Sequence, residues 1–250
     1  MTMDVVDLRE FYNSSLGQLV RLLLRTRLAR FWPDVKDETI AALGYATPLL
    51  RPWLGKTKTM IALMPDTLGV AYWPREGQNI AGLVSMEQLP LPDESVSRVI
   101  LMHALETVAD PAAVLQEVWR ILKPNGQVMV IVPNRRGLWA HSDHTPFGTG
   151  QPYSSSQLRT LLREQGFCIE KLGHALFMPP WDVRLSMVAA PWIEKIISVL
   201  MLGCGGVLMM QAGKQVFSPA MVKNRSMGRR LVLPMPFPSS PLPTGRKSMQ

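Results

Sequence analysis

Hydrophobic residues along the chain fall into short blocks whose spacing separates strands from helices. Val96 to Met102 is nearly continuous in apolar character, with β-branched Val96, Val99 and Ile100. Such a run predicts a central parallel strand buried on both faces. Asp110 then stands as an N-cap with Pro111 at the first helical position, and Val114, Leu115, Val118, Trp119, Ile121 and Leu122 recur at helical spacing. Pro124, Asn125 and Gly126 stop that helix and turn the chain, and Gln127 to Val132 supplies a second apolar strand closed by Pro133. The predicted unit is a strand, a helix packed by one face on the sheet, and a further strand.

The flanking segments read more coarsely. Leu8 to Arg30 predicts one amphipathic helix, with Leu16, Leu19, Leu23 and Leu24 apolar and Arg21, Arg25 and Arg30 toward another side. Met60 to Met64 reads as a short strand. Ser154 to Gln165 is a capped helix closed by Gly166, and Phe167 to Phe177 forms a strand broken by Pro179 and Pro180. Trp181 to Leu202 reads as helical, and Val207 to Phe217 as a final strand. The uncharged stretch Ile196 to Gly213 is interrupted by Gly203, Gly205 and Gly206, so a buried helix, turn and strand fit it better than a membrane span.

A chain of 250 residues is long enough for one hydrophobic core without a second domain. The net charge of +8 misleads: seven of the 27 basic residues and none of the 19 acidic ones lie from Lys214 onward, so the preceding body is nearly neutral. Pro234 to Pro243 is crowded with proline, as expected of an extended tail. A basic tail can touch nucleic acid or anionic lipid, but a solvated tail is the commoner case. Cys168 and Cys204 lack metal-type spacing and read as ordinary thiols in a reducing compartment. The amino terminus carries acidic residues and no apolar core of a secretion signal, so a cytoplasmic location is expected.

The loop from Pro133 to Tyr153 mixes guanidinium, amide, imidazole and aromatic groups among proline and glycine turns. It leaves the carboxyl end of a predicted central strand, where open α/β sheets bind ligands. Asn134, Arg135, Arg136 and His141 are candidate polar contacts to a substrate, with Trp139, Phe147 and Tyr153 as walls. The competing reading is structural: arginines capping carbonyls and aromatics sealing the core. His103, at the carboxyl end of its strand, is the first candidate base, with His141 and His144 next, although a lone histidine there is more often structural. Glu106 either orients a partner or caps the following turn. No metal-ligand cluster, Ser-His-Asp pattern or phosphate loop is recognisable.

The segments Leu89-Pro90-Leu91-Pro92-Asp93, His103-Ala104-Leu105-Glu106 and Leu122-Lys123-Pro124-Asn125-Gly126 together resemble the class I S-adenosylmethionine-dependent methyltransferases, specifically the type 11 (UbiE/BioC-like) group. The resemblance covers about the middle third of the chain. It implies a Rossmann-like α/β fold: a seven-stranded, mostly parallel sheet with helices on both faces and the last strand antiparallel. It implies S-adenosyl-L-methionine as cofactor, bound at the carboxyl ends of the strands. The implied organisation is a capping helix region over 1–32, the methyltransferase-like domain over 33–218 and a basic proline-rich tail over 219–250.

The family's D-x-G-x-G-x-G turn is degenerate here. The acidic position is Ala42, Gly44 is kept, Ala46 replaces the second glycine and Pro48 the third. The ribose-binding carboxylate at the end of the second strand becomes Met64, a weak acceptor. The place near the adenine amine is Ser85, followed by Met86 and Glu87. The implied cofactor set is therefore Gly44, Tyr45, Ala46, Met64, Ser85, Met86, Glu87 and Met102. Each lost carboxylate-to-hydroxyl bond costs ~1.5–3 kcal/mol, so two or three such losses weaken binding by roughly two to five powers of ten.

Three functions follow. The first is a methyltransferase acting on an unidentified acceptor, small molecule or protein, by direct methyl transfer, where alignment does most of the work. The second is a catalytically inactive member of the same fold serving as a binding or regulatory partner. The third, less favoured, is a nucleic-acid binder using the basic tail.

Overall fold

The computed structural model describes residues 3–180 and 205–215. The predicted helix Trp181 to Leu202, Cys204 and the basic tail over 219–250 lie outside those residues.

Seven strands form one sheet in the order β3-β2-β1-β4-β5-β7-β6. They are β1 (Thr39–Gly44), β2 (Thr59–Pro65), β3 (Ala81–Val84), β4 (Val96–Met102), β5 (Leu122–Pro133), β6 (Cys168–Ala175) and β7 (Val207–Gly213). The first five pair in parallel, and β7 inserts antiparallel between β5 and β6. The Rossmann-like α/β architecture with an antiparallel final strand is therefore present.

Successive residues of each central strand enter different cores, as the two-residue repeat of a strand requires. Ile40, Ala42, Ile100 and Met102 join the N-terminal helices α1 (Val5–Asn13) and α2 (Ser15–Phe31). Ala41, Leu43, Val99 and Leu101 pack instead with helix α4 (Pro111–Ile121) and helix α5 (Ser155–Glu164). Both faces of the sheet are covered, which is why Val99 to Met102 is apolar throughout and the polar Ser97 and Arg98 stand near the strand's start, only partly buried. Helix α3 (Thr47–Leu50) follows β1 directly.

Several boundaries differ from those read in the sequence. The single helix expected over Leu8 to Arg30 is two helices. Ser14 adopts an extended conformation (φ −65, ψ 163) that ends α1 and caps α2, its Oγ accepting from Gly17 N at 3.1 Å. Hydrophobic spacing runs through this break because the cap changes the backbone, not the apolar pattern. The strand expected from Gln127 begins at Leu122: Val96 pairs with Leu122, Arg98 with Gln127, and the intervening residues bulge at Asn125 (φ 62). The strand expected over Phe167 to Phe177 is Cys168–Ala175 and ends before Leu176 (φ 59). The last strand ends at Gly213, short of Phe217.

The strand order reverses between β1 and β4, so their carboxyl ends open a crevice at Gly44 and Met102, which are register partners. Gly44 has φ +80, and a Cβ there would overlap Met102 O and crowd Ala104 Cβ at 2.9 Å. Gly44→Ala is expected to destabilise the protein by about 3 kcal/mol through strain and this overlap, seen as a lowered urea midpoint. An unchanged midpoint would mean that the two strand ends are not packed this closely.

Candidate functional site

At the crevice, the chain turns back on itself as soon as β1 ends. Tyr45 N donates to Met102 O at 2.8 Å, which closes the two strand ends together. His103 takes φ 52, a conformation non-glycine residues adopt only when their surroundings hold them there. Those surroundings come from α1. Asp4 caps this helix in a reciprocal capping box with Asp7, and Val5 N donates to Leu68 O at 2.9 Å, fixing α1 over the loop that follows β2.

From that anchored helix Tyr12 reaches into the crevice. Its hydroxyl lies 2.8 Å from His103 Nε2, and its ring stacks on Tyr45 with centroids 5.9 Å apart. Glu106 Oε2 accepts from Ala104 N at 3.2 Å, while Oε1 faces His103 Nδ1 at 3.4 Å. That separation falls short of a formed hydrogen bond, and Oε1 has no other polar partner although it is buried. A carboxylate facing Nδ1 favours the ring proton there, so Nε2 accepts from the Tyr12 hydroxyl. His103 and Glu106 are both buried.

Beside this cluster lies a cavity of about 990 Å³ bounded by α1, α2, the turn after β1 and the loop over 70–76. Tyr45, Thr47 and Pro48 form the part of its wall that belongs to the β1 turn. Tyr72 and Trp73 contribute aromatic surface, and Asn13 and Glu76 polar groups. Five arginines complete the lining: Arg9, Arg21, Arg25, Arg51 and Arg75. Arg25 Nε donates to Pro48 O at 2.7 Å, tying α2 to the same turn. Burial, followed by the neighbouring Arg21 and Arg51 charges, pulls the Arg25 guanidinium down to about 10.

The residues expected to hold a cofactor are not gathered in one open cleft. Tyr45 lines the cavity, and Gly44 makes the turn. Ala46, Met64 and Met102 are fully buried in the core shared with α1 and α2, and Met86 is buried on the other face. Ser85 and Glu87 are exposed at a tight turn closed by Gln88 N donating to Ser85 O at 3.3 Å.

In the loop after β5, Asn134 is buried and acts as a staple, its Nδ2 donating to Gly205 O at 2.6 Å and its Oδ1 accepting from Arg136 N at 3.2 Å. Arg135 and Arg136 are exposed. Trp139 Nε1 donates to Met178 O at 2.7 Å, and Phe147 packs edge-on against Trp139, so both rings belong to the core. Tyr153 is half-buried with its hydroxyl on Leu105 O, and His141 Nδ1 donates to Gly137 O at 3.1 Å. The arginine set and Tyr12 were not singled out from sequence. The only local signal was Arg21 and Arg25 at i, i+4 on the polar side of α2.

Burial raises the Tyr12 hydroxyl well above its ordinary 10, helped by Tyr45 and Glu106, and burial raises Tyr45 against the pull of Arg9. Below pH 10 both tyrosines are neutral folded or unfolded; above it the unfolded chain ionises first, so stability falls as pH rises. Tyr12→Phe is expected to cost about 1–3 kcal/mol at pH 7, by leaving His103 Nε2 unpaired, and to flatten the alkaline loss. Urea midpoints between pH 7 and 11 check this, and parallel curves for the two proteins would contradict it.

Residues 44–130 match the methyltransferase domain family. A probable S-adenosylmethionine-dependent methyltransferase of Mycolicibacterium smegmatis is 30% identical over 130 residues, 46% of this chain and 50% of that protein. The tRNA 5-carboxymethoxyuridine methyltransferase of Escherichia coli K12 is 26% identical over 145 residues, 54% of this chain and 56% of that protein. The chain thus spans about half the length of these curated relatives. A methyltransferase structure from Thermotoga maritima, described as a possible histamine N-methyltransferase, superposes with a TM-score of 0.63 at 19% identity, over 84% of this chain and 96% of that one. This likeness concerns the fold.

The family implies S-adenosylmethionine, and the cavity's chemistry fits that molecule. Aromatic surface at Tyr45, Tyr72 and Trp73 suits an adenine, the arginines suit a carboxylate, and Asn13, Thr47 and Glu76 suit hydroxyl and ammonium groups. Among the described residues no cluster of His, Cys, Asp or Glu suits a metal, and no helix is long and apolar enough to cross a membrane. The strand order and the Gly44 turn at its reversal give the Rossmann-like fold, and residues 44–130 are similar to the type 11 methyltransferase domain, whose S-adenosylmethionine-dependent relatives share about half their length with this chain.

Proposed function

We propose that this protein is an S-adenosylmethionine-dependent methyltransferase whose donor lies in the cavity beside the Tyr45 to Thr47 turn. The observation that carries this reading is the place of the cavity: it opens on the turn after β1, at the reversal of strand order, within the stretch that matches the methyltransferase domain. When bound, the donor supplies a methyl group activated on a sulfonium, which leaves readily, so the protein's task is alignment and exclusion of water.

The residues divide that task. Tyr45 and Thr47 form the floor nearest the strand ends, and Trp73 and Tyr72 offer faces for a planar group. Asn13 brings α1 into the wall, so the helix that closes the crevice also shapes the binding space. His103, the first candidate base in the sequence, has Nε2 on Tyr12 and Nδ1 facing Glu106. We read it as a positioning residue that locks α1 over the crevice.

Met64 and Ala46 stand where the family has polar or glycine contacts, and their side chains serve the core here. The hydroxyls of the donor must then find Thr47, Asn13 or Glu76, a different set that still meets the same need. The inactive alternative draws no support from the named relatives above, which are methyltransferases.

Isothermal titration with S-adenosylmethionine and S-adenosylhomocysteine tests the reading. Micromolar binding is expected, weakened at least tenfold in Tyr45→Ala with a folded protein confirmed by circular dichroism. Absence of binding at millimolar donor would overturn it.

A further inference from the structure

The cavity carries far more positive charge than a methyl donor can use. Before Lys214 the chain holds nearly equal numbers of basic and acidic residues. Yet Arg9 of α1, Arg21 and Arg25 of α2, Arg51 after α3 and Arg75 of the loop over 70–76 line one cavity. Glu76 is the one carboxylate among the described lining residues. Among the described residues none of the five arginines forms an ion pair.

Gathering like charges from separate segments raises the free energy of the folded protein, and the half-buried Arg21 and Arg25 are screened by solvent less than the exposed Arg9, Arg51 and Arg75. Burial first, and then the charges of Arg21 and Arg51, lower the affinity of Arg25 for its proton, so crowding contributes to the shift. An anion would relieve it. The donor offers one carboxylate, which a single bidentate guanidinium or a pair satisfies, while its sulfonium and ammonium add positive charge. At least three arginines are left for another ligand. The volume of about 990 Å³ lies at the upper end of the range for single-ligand pockets, so it has room for a second small molecule. Val5, Leu54 and Val70 give that molecule an apolar wall.

We infer that the methyl acceptor is a small organic anion carrying two or more carboxylate or phosphate groups, held by Arg21, Arg25, Arg51 and Arg75 beside the donor. This inference rests on the methyltransferase reading above. The guanidinium groups fix the anionic end through paired hydrogen bonds, and the apolar wall receives the remainder of the molecule. Concave placement favours such a molecule over a nucleic acid, whose backbone needs an open groove lined along its length.

Citrate and pyrophosphate serve as probes for the two anionic groups, titrated into the full-length protein at fixed ionic strength with and without saturating S-adenosylhomocysteine. Saturable 1:1 binding of at least one probe is expected, retained in the presence of S-adenosylhomocysteine and weakened about tenfold or more by Arg51→Gln with Arg75→Gln. These two arginines are exposed, so the variant folds with the buried contacts of Arg25 intact; Arg159→Gln on α5 is the control for loss of surface charge. Preference for citrate assigns a polycarboxylate, and preference for pyrophosphate a phosphate ester. Three results would overturn the inference: no saturable binding, equal weakening by Arg159→Gln, or competition between probe and S-adenosylhomocysteine, which would assign the arginines to the donor. Tight binding of a single-stranded oligonucleotide with neither probe bound would overturn it too. If the probes bind and S-adenosylhomocysteine does not, the anion site stands and the donor reading fails, so the two failures are distinguishable.

Discussion

The contact on which the rest depends is the approach of Gly44 to the carbonyl of Met102, where the strand order reverses. With no side chain at Gly44, the ends of β1 and β4 can lie side by side while the chain turns away through a positive φ. Tyr45 N then bonds Met102 O, and that bond carries Tyr45 to the mouth of the crevice. Every neighbouring feature uses this geometry. Tyr12 can stack on Tyr45 and reach His103 only because the two strand ends are held together, and the cavity wall at Tyr45, Thr47 and Pro48 starts from the same turn.

The crevice is closed by a polar arrangement with one incomplete member. Tyr12, His103 and Glu106 form a buried series linking α1 to the end of β4, yet Glu106 Oε1 lacks a proper partner. Buried polar groups cost free energy unless paired, so a series left one bond short holds α1 less firmly than a complete one. The apolar contacts of Phe11 with Phe147 and of Tyr12 with Tyr45, together with burial of Leu8, add to that hold. The helix that covers the crevice is thus attached by buried Leu8, a few aromatic contacts and the hydrogen bonds of Tyr12 to His103 and of Val5 N to Leu68 O.

The sequence disclosed the centre of the sheet because its signals are local. The apolar run Val96 to Met102 and the cap Asp110-Pro111 each act within a few residues and have their counterparts in the fold. Pro124 to Gly126, read as a helix stop, lies instead in a bulge of β5 after α4 has ended at Ile121. The site was less legible. Trp139 and Phe147 had the composition of pocket walls, but whether an aromatic ring seals a core or lines a cavity depends on contacts distant in sequence. The arginines were hidden for a similar reason: Arg9, Arg21, Arg51 and Arg75 share no periodicity and meet only after four segments have folded. Ser14 shows the opposite limit, since a single cap residue split a helix whose apolar spacing continued across it.

A degenerate glycine-rich turn and an arginine-lined cavity are two sides of one description. The polar contacts missing at Ala42, Ala46 and Met64 lie on the strand ends, whereas the charge has gathered on the helices and the loop facing them. On the proposed reading, binding chemistry sits on the layer covering the sheet rather than on the sheet itself. The most direct measurement of that claim is a crystal structure of the protein with S-adenosylhomocysteine. The account predicts density in the cavity beside Tyr45 and Thr47, with the ligand carboxylate on a guanidinium and unfilled space left among the remaining arginines. Density instead at Ser85 to Glu87, away from that cavity, or a cavity closed in the complex, would contradict it.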